Sequence, residues 1–299
     1  MKKHPVISGF LLLAIVGLLF FLALRMLVFF GEKNQDFSFK DKDKIGVVTI
    51  EGVLSNSRDT VRLLDKYEKD DKVKAVVLRI NSPGGAVVPS QEIYDKVLRL
   101  KKSKKVVVSM GTVAASGGYY IACAADRIIA NPGTITGSIG VIAQFSQIED
   151  LLKKIGLKAT VIKAGRYKDV GSPVREMTIA DKRLVQGVID DIHSQFIEVV
   201  SSNRNLSREN MKDIADARIF TGRQALKAGL VDDLGNMEYA IDIATNLAGI
   251  EGKAEVIYPE KKRKSLLRYI ASETISAISE EFRGIGTGIS YLYKPARGM

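Results

Sequence analysis

Two hydrophobic patterns divide the chain. Val6 to Leu24 is almost purely apolar, and Met26 to Phe30 continues the run after Arg25. At about 1.5 Å rise per residue, such a run crosses a hydrocarbon core of about 30 Å, so residues 1–30 read as one N-terminal transmembrane helix. Residues 31–44 are polar and charged and read as a linker. From Ile45 onward short β-branched runs alternate with helical ones. Strands are expected at Ile45–Ile50, Val73–Ile80, Lys105–Ser109, Arg127–Ala130, Ile139–Ala143 and Lys158–Ile162. Helices are expected between them at 57–69, 90–102, 116–125 and 146–155, followed by a long one over 180–203.

Strand, helix, strand in this rhythm implies an α/β fold of βαβ units, with a largely parallel sheet flanked by helices. It fills one domain, residues 45–250. Residues 251–299 form a C-terminal extension, in which Leu266 to Phe282 fits an amphipathic helix. The glycine-rich tail from Arg283 to Met299 reads as flexible.

Composition changes this picture little. Of 299 residues, 46% are hydrophobic and 26% charged, as in ordinary globular proteins. The net charge of +11 is spread widely, densest at Lys261, Lys262, Arg263 and Lys264. Without a nucleic-acid-binding module, a basic surface suits a neighbour of anionic lipid, and no nucleic-acid partner is expected. The single cysteine, Cys123, lies in an apolar run and reads as a small buried hydrophobe; no intrachain disulfide can form. With only His4 and His193 available, a histidine–cysteine metal site is not expected.

A cleaved signal peptide is the rival reading of the N-terminus. Its apolar core is usually shorter, and Phe21 to Arg25 matches a cleavage site poorly, so a retained anchor is favoured. Lys2 and Lys3 precede the span while Lys33, Lys40, Lys42 and Lys44 follow it, so charge alone leaves orientation open.

Three glycine-rich turns stand at strand ends, where ligands bind in open α/β sheets: Asn81 to Gly85, Gly111 to Tyr120 and Thr134 to Gly140. In the second, Ser116 is flanked by Ala114, Ala115, Gly117 and Gly118. Small neighbours leave room for a tetrahedral intermediate. A helix starting at Ser116 would aim free N–H groups at a developing oxyanion. The simpler reading is a tight helix–strand crossing with a capping serine. In the first turn, Gly84 and Gly85 allow close backbone approach, and either could complete an oxyanion hole with Gly117. A serine nucleophile needs a base. His4 lies at the edge of the apolar run and His193 inside a long helix, which leaves lysine as the substitute. A free lysine titrates near 10.4, so a lysine base must be held neutral, as burial among apolar groups can do. Lys168 lies in a loop bounded by Gly165 and Pro173. On pattern alone it reads as a solvated loop residue; as a base it would need the adjacent Asp169 to point away from it.

Together the motifs Asn81-Ser-Pro-Gly-Gly85, Ala114-Ala-Ser-Gly-Gly-Tyr-Tyr120, Thr136-Gly-Ser-Ile-Gly140, Tyr167-Lys-Asp169 with Arg175-Glu-Met-Thr178, and Phe220-Thr-Gly-Arg-Gln-Ala225 resemble the signal peptide peptidase A family in its short single-domain form. The likeness runs from Ile45 to Ala248. It implies the ClpP/crotonase-like fold of repeated ββα and βαβ units. It also implies a serine endopeptidase with Ser116 as nucleophile, Lys168 as base, and Ser138 orienting the lysine amine. Gly84 or Gly85, with Gly117, would bind the oxyanion. The implied substrates are remnant signal peptides, and no cofactor is required. The implied setting is the cell membrane, single-pass, with an extracytoplasmic catalytic domain in a homo-oligomer whose sites are shared between subunits. Rival readings are another Ser-Lys membrane peptidase of the same superfamily, a crotonase-type enzyme acting on an acyl-CoA, and a non-catalytic scaffold. No acidic residue stands in the three turns, as crotonase chemistry commonly needs, and no histidine lies in 137–144 for a ClpP-like triad.

Overall fold

The computed structural model describes residues 15–23, 25, 26, 43–259 and 288–293. The chain divides into two units, Met1–Lys42 and Asp43–Met299. In the first, residues 15–23, 25 and 26 are helical and exposed. Among the described residues no helix is long and apolar enough to cross a membrane. The rest of the expected span, the linker residues 31–42, the basic run at 261–264 and the expected helix at 266–282 lie outside the described residues.

The second unit begins with β1 (Lys44–Glu51), α1 (Arg58–Lys69), β2 (Val73–Ser82), β3 (Gly84–Ala86), α2 (Val87–Leu100), β4 (Lys105–Ala115) and α3 (Gly117–Ala122). It continues with β5 (Arg127–Ala130), β6 (Ile135–Gly137), β7 (Ile142–Gln144), α4 (Glu149–Lys154), α5 (Ile179–Arg204), α6 (Arg208–Lys212) and β8 (Ile219–Thr221). The remaining elements are α7 (Gly222–Lys227), β9 (Asp233–Leu234), α8 (Met237–Leu247), β10 (Glu255–Ile257) and β11 (Gly288–Leu292). The main sheet runs β10-β1-β2-β4-β5-β9 with every pairing parallel, and β6 and β8 extend it beyond β4. The result is a mixed α/β architecture, consistent with the ClpP/crotonase-like fold that the resemblance implies.

Strand alternation explains the two-sided burial. Ile45, Val47, Ala75, Val77, Val107 and Ile129 point to one face, where Ala240 and Ala244 of α8 cover them. Their neighbours Val48, Ile50, Val76, Leu78, Val108 and Ile128 point to the other, into the core shared with α1, α2, α3 and α5. Parallel strands buried on both faces read as continuous apolar runs, which is how β2 and β4 look in sequence. Each such Val or Ile contributes about 1.5–3 kcal/mol relative to exposure.

Several expected elements change. The strand expected at 158–162 is irregular and exposed, with Ile162 96% exposed, because no neighbouring strand pairs with it. The strand expected at 139–143 shrinks to β7, and β6 forms before it. The tail expected to be flexible contains β11. It lies antiparallel between β3 and β7 in a second sheet, with Tyr291 opposite Gly85 and Ile289 opposite Ala143. Tyr291 is fully buried, which is the force that seats this strand.

Candidate active site

Strand β4 places Ser116. Its last residues pair with β2 on one side (Ala114 opposite Ser82) and with β6 on the other (Ala115 opposite Gly137). The Ser116 amide then donates to Gly137 O at 2.8 Å, and α3 begins at once. This sharp strand-to-helix turn holds Ser116 at φ 54°, ψ −118°, a conformation that glycine would occupy more cheaply by about 1–3 kcal/mol. Ser116 makes no side-chain capping bond to α3, so the capping role that would explain a serine here is not used. The small residues around it are required by contact. A Cβ on Gly117 would lie 2.6 Å from Ser90 Oγ, and one on Gly118 would lie 2.9 Å from Ser82 O.

Gly84 meets Ser116 from the side. At φ 97°, a Cβ added there would lie 2.2 Å from Tyr291 O, 2.6 Å from Gly117 N and 3.1 Å from Ser116 Cβ. The β11 backbone, the first amide of α3 and the serine therefore converge on one point. The Gly84 amide itself donates to Ser82 Oγ at 3.1 Å, and the Gly84 carbonyl accepts from Leu54 N at 2.9 Å. Gly85, the next residue along β3, faces β11 by register. The Gly117 amide, at the first position of α3, makes no hydrogen bond among the described residues.

Ser138 follows Gly137 and is held at φ 52° by a bond from its amide to Arg218 O at 2.8 Å. Arg218 is itself clamped to Asp216, at 2.7 and 2.8 Å, and holds that carboxyl down at about 2. The structure thus brings Ser116, Gly84, Gly85 and Gly117 together, with Ser138 one residue beyond the Ser116–Gly137 bond. His193, set aside as a base on sequence, has Nε2 3.2 Å from Ile139 O. A carbonyl only accepts, so that bond places the proton on Nε2 and leaves Nδ1 as the accepting nitrogen.

Lys168 is differently placed. It is exposed, in a run of turns after the irregular segment, and its ammonium makes no hydrogen bond or ion pair among the described residues. Asp169 does point away from it. Its carboxylate binds Arg175 at 2.7 and 2.9 Å and also pairs with Lys163. Arg175, then Lys163, holds the Asp169 carboxyl well below the usual carboxylate range. Arg175 also reaches Asp181 at 2.7 Å, inside the capping box of Thr178 at the start of α5, and Asp181 is held at about 2. This cluster pins the loop carrying Lys168 to α5.

The sequence reading missed a pocket beneath β11. The Tyr291 ring stacks on Tyr120 (centroids 5.3 Å apart, 21° between planes) and meets Phe196 at 4.8 Å. Tyr120 in turn packs on Tyr94 at 5.0 Å, and burial pushes its hydroxyl up to about 12. The period-two spacing of Ile289, Tyr291 and Tyr293 is the sequence signal that could have revealed the strand.

Comparison with known proteins points the same way. The model of peptidase family S49 matches residues 99–251, and a Clp protease model matches residues 54–136. A candidate protease of Synechocystis sp. is 46% identical over 216 residues, which is 72% of this chain and 78% of that protein. A candidate protease of Methanocaldococcus jannaschii is 41% identical over 211 residues, covering 71% and 68% of the two chains. A protein of Enterococcus faecium described as a candidate signal peptide peptidase SppA is 37% identical over 188 residues, 62% of this chain and 55% of its own. The first family model alone spans half of the chain and includes both the Ser116 turn and the Lys168 loop: the chain is a serine peptidase and belongs to peptidase family S49.

Proposed function

We propose that the protein is a membrane-anchored endopeptidase that hydrolyses peptides through a Ser116–Lys168 dyad, and that its substrates are cleaved signal peptides. The observation that carries the nucleophile is the backbone of Ser116. A serine held at φ 54° without capping is strained for a purpose other than helix stability. The substrate class rests on the apolar N-terminal run and on the name of the Enterococcus relative.

In this reading the substrate lies as β11 lies, an added strand between β3 and β7. Ser116 Oγ attacks the scissile carbonyl and gives its proton to neutral Lys168 Nζ as the C–O bond forms. The amides of Gly85 and Gly117 hold the oxyanion; Gly84 is disfavoured because its amide is engaged with Ser82. Collapse breaks the C–N bond, and the lysine returns the proton to the departing amine. A water then repeats the sequence on the ester, releasing the acid and restoring Ser116. Ser138 accepts a hydrogen bond from the lysine amine and orients it.

Lys168 reaches a serine on a neighbouring copy of the chain. Two features support this. Lys168 is exposed in the single chain, and the segment leading to it exposes Leu151, Ile155, Leu157, Val161 and Ile162. Contiguous exposed apolar residues of this size mark an interface, and burial there would also neutralise the lysine.

The test is labelling of full-length protein with a fluorophosphonate, with the adduct located by mass spectrometry. Adduct on Ser116, lost in Ser116→Ala and Lys168→Ala while both remain folded by circular dichroism, is the expected result. Adduct on Ser138 or elsewhere, or undiminished labelling in Lys168→Ala, would overturn the dyad.

A further inference from the structure

The strand β11 carries a side chain into the molecule at the residue whose carbonyl lies with Ser116 and Gly117 around Gly84. Tyr291 O is the atom nearest to Gly84 in the convergence described above, beside Gly117 N and Ser116 Cβ. The Tyr291 side chain is fully buried, and its hydroxyl donates to Ile192 O at 3.2 Å. Ile192 lies inside α5, so its carbonyl carries the helical bond on one lone pair and offers the other to a ligand. The pocket is thus aromatic at its walls, with Tyr120 stacked on one face of the guest and Phe196 tilted against it, and polar at one point on its floor.

We propose that this pocket sets the specificity of the peptide groove and selects tyrosine as the residue whose carbonyl the serine attacks. The inference rests on the peptidase reading and adds a substrate class to it. Stacking on Tyr120 and the tilted contact with Phe196 favour a flat ring over an aliphatic chain. The Ile192 carbonyl favours a para-hydroxyl over bare phenylalanine. A small residue leaves the pocket empty, and an anionic one would face a carbonyl without a counter-charge. The chain's own Tyr291 fills the pocket in this structure and shows the fit atom by atom.

The experiment measures binding of labelled pentapeptides Gly-Ile-Ser-Xaa-Leu, with Xaa as Tyr, Phe, Leu or Ala. The protein is the full-length double variant Ser116→Ala with Tyr291→Ala, whose tail no longer fills the pocket and which cannot consume the peptide. The Tyr peptide should bind tightest, the Phe peptide about fivefold more weakly for one lost neutral hydrogen bond. The Ala peptide should bind about a hundredfold more weakly for the lost buried ring. Equal binding of the Tyr and Ala peptides, or tightest binding of Leu, would overturn the proposal. If the double variant does not fold, Ser116→Ala alone gives the same ranking, because its tail competes equally with every peptide. Fluorophosphonate labelling of wild type separates the two readings. Labelling at Ser116 without the peptide ranking leaves the peptidase and removes the pocket. The ranking without labelling leaves the pocket and removes Ser116 as nucleophile.

Discussion

The two ends of the candidate dyad are built in opposite ways. Around Ser116, strands β2, β4 and β6 and helix α3 close on one another, so that almost every side chain from 106 to 125 is buried and Gly84, Gly85 and Gly118 are hemmed by backbone. Around Lys168 the chain leaves the sheet at β7 and returns only at α5. Between them no residue is fully buried and most are exposed, and one ionic cluster, Lys163–Asp169–Arg175–Asp181, supplies most of the fixed side-chain contacts. A nucleophile needs a strained, rigid seat, and a single hydrophobic core can provide it. A lysine base needs an apolar environment, and the segment that carries it has apolar side chains but no core of its own to bury them in. On the proposed reading, the fold of one chain completes half of the site and a neighbouring copy supplies the rest.

The strongest way to break that comparison is genetic mixing. Ser116→Ala and Lys168→Ala, each produced alone, should lose about 10⁴-fold or more in peptide hydrolysis. Produced together in one cell, they should recover about a quarter of wild-type activity, since one interface in four pairs an intact serine with an intact lysine. No recovery would place both residues in the same chain and remove the reason given for the exposed apolar segment.

A smaller effect sharpens the rigid half. Gly84→Ala puts a methyl group against Tyr291 O, Gly117 N and Ser116 Cβ at a positive φ that alanine avoids. Two of the three neighbours are backbone and cannot swing aside. Hydrolysis should fall about 100-fold as the amide of Gly117 is displaced, and the melting temperature should fall by several degrees. Full activity with unchanged stability would mean that β3 does not approach the serine as described.

The same contrast explains what could be read from sequence. The strands of the rigid half announce themselves, because a parallel strand buried on both faces is an unbroken apolar run: Val76, Val77 and Leu78, or Val106, Val107 and Val108. The small residues around Ser116 are legible because close packing forbids anything larger. The irregular segment was not legible. Its run Lys158 to Ile162 has strand-like composition, but a strand needs a partner edge, and sequence composition carries no information about whether one is within reach. The same limit hid β11, a five-residue strand in a glycine-rich tail whose burial depends on a pocket formed by residues 94, 120 and 196.

Acid should act on the open half and spare the closed one. Asp181 is held at about 2 and Asp169 lower still, both by Arg175. A carboxyl whose folded value is depressed stabilises the fold above its unfolded value near 3.9, and that contribution is lost as pH falls toward the folded value. Between about pH 4 and pH 2 the loop around Lys168 should therefore come loose from α5. Pepsin, which works in this range, should cut within residues 163–178 several-fold faster at the lower pH. Arg218, whose carbonyl holds the Ser138 amide, keeps Asp216 down at about 2 as well, so a second arm at neutral pH isolates the cluster. Asp181→Asn should leave thermolysin cutting the same segment faster than in wild type, with β4 and α3 still protected. Equal protection of the segment in both arms would mean that the Lys168 loop is held by something other than its ion pairs.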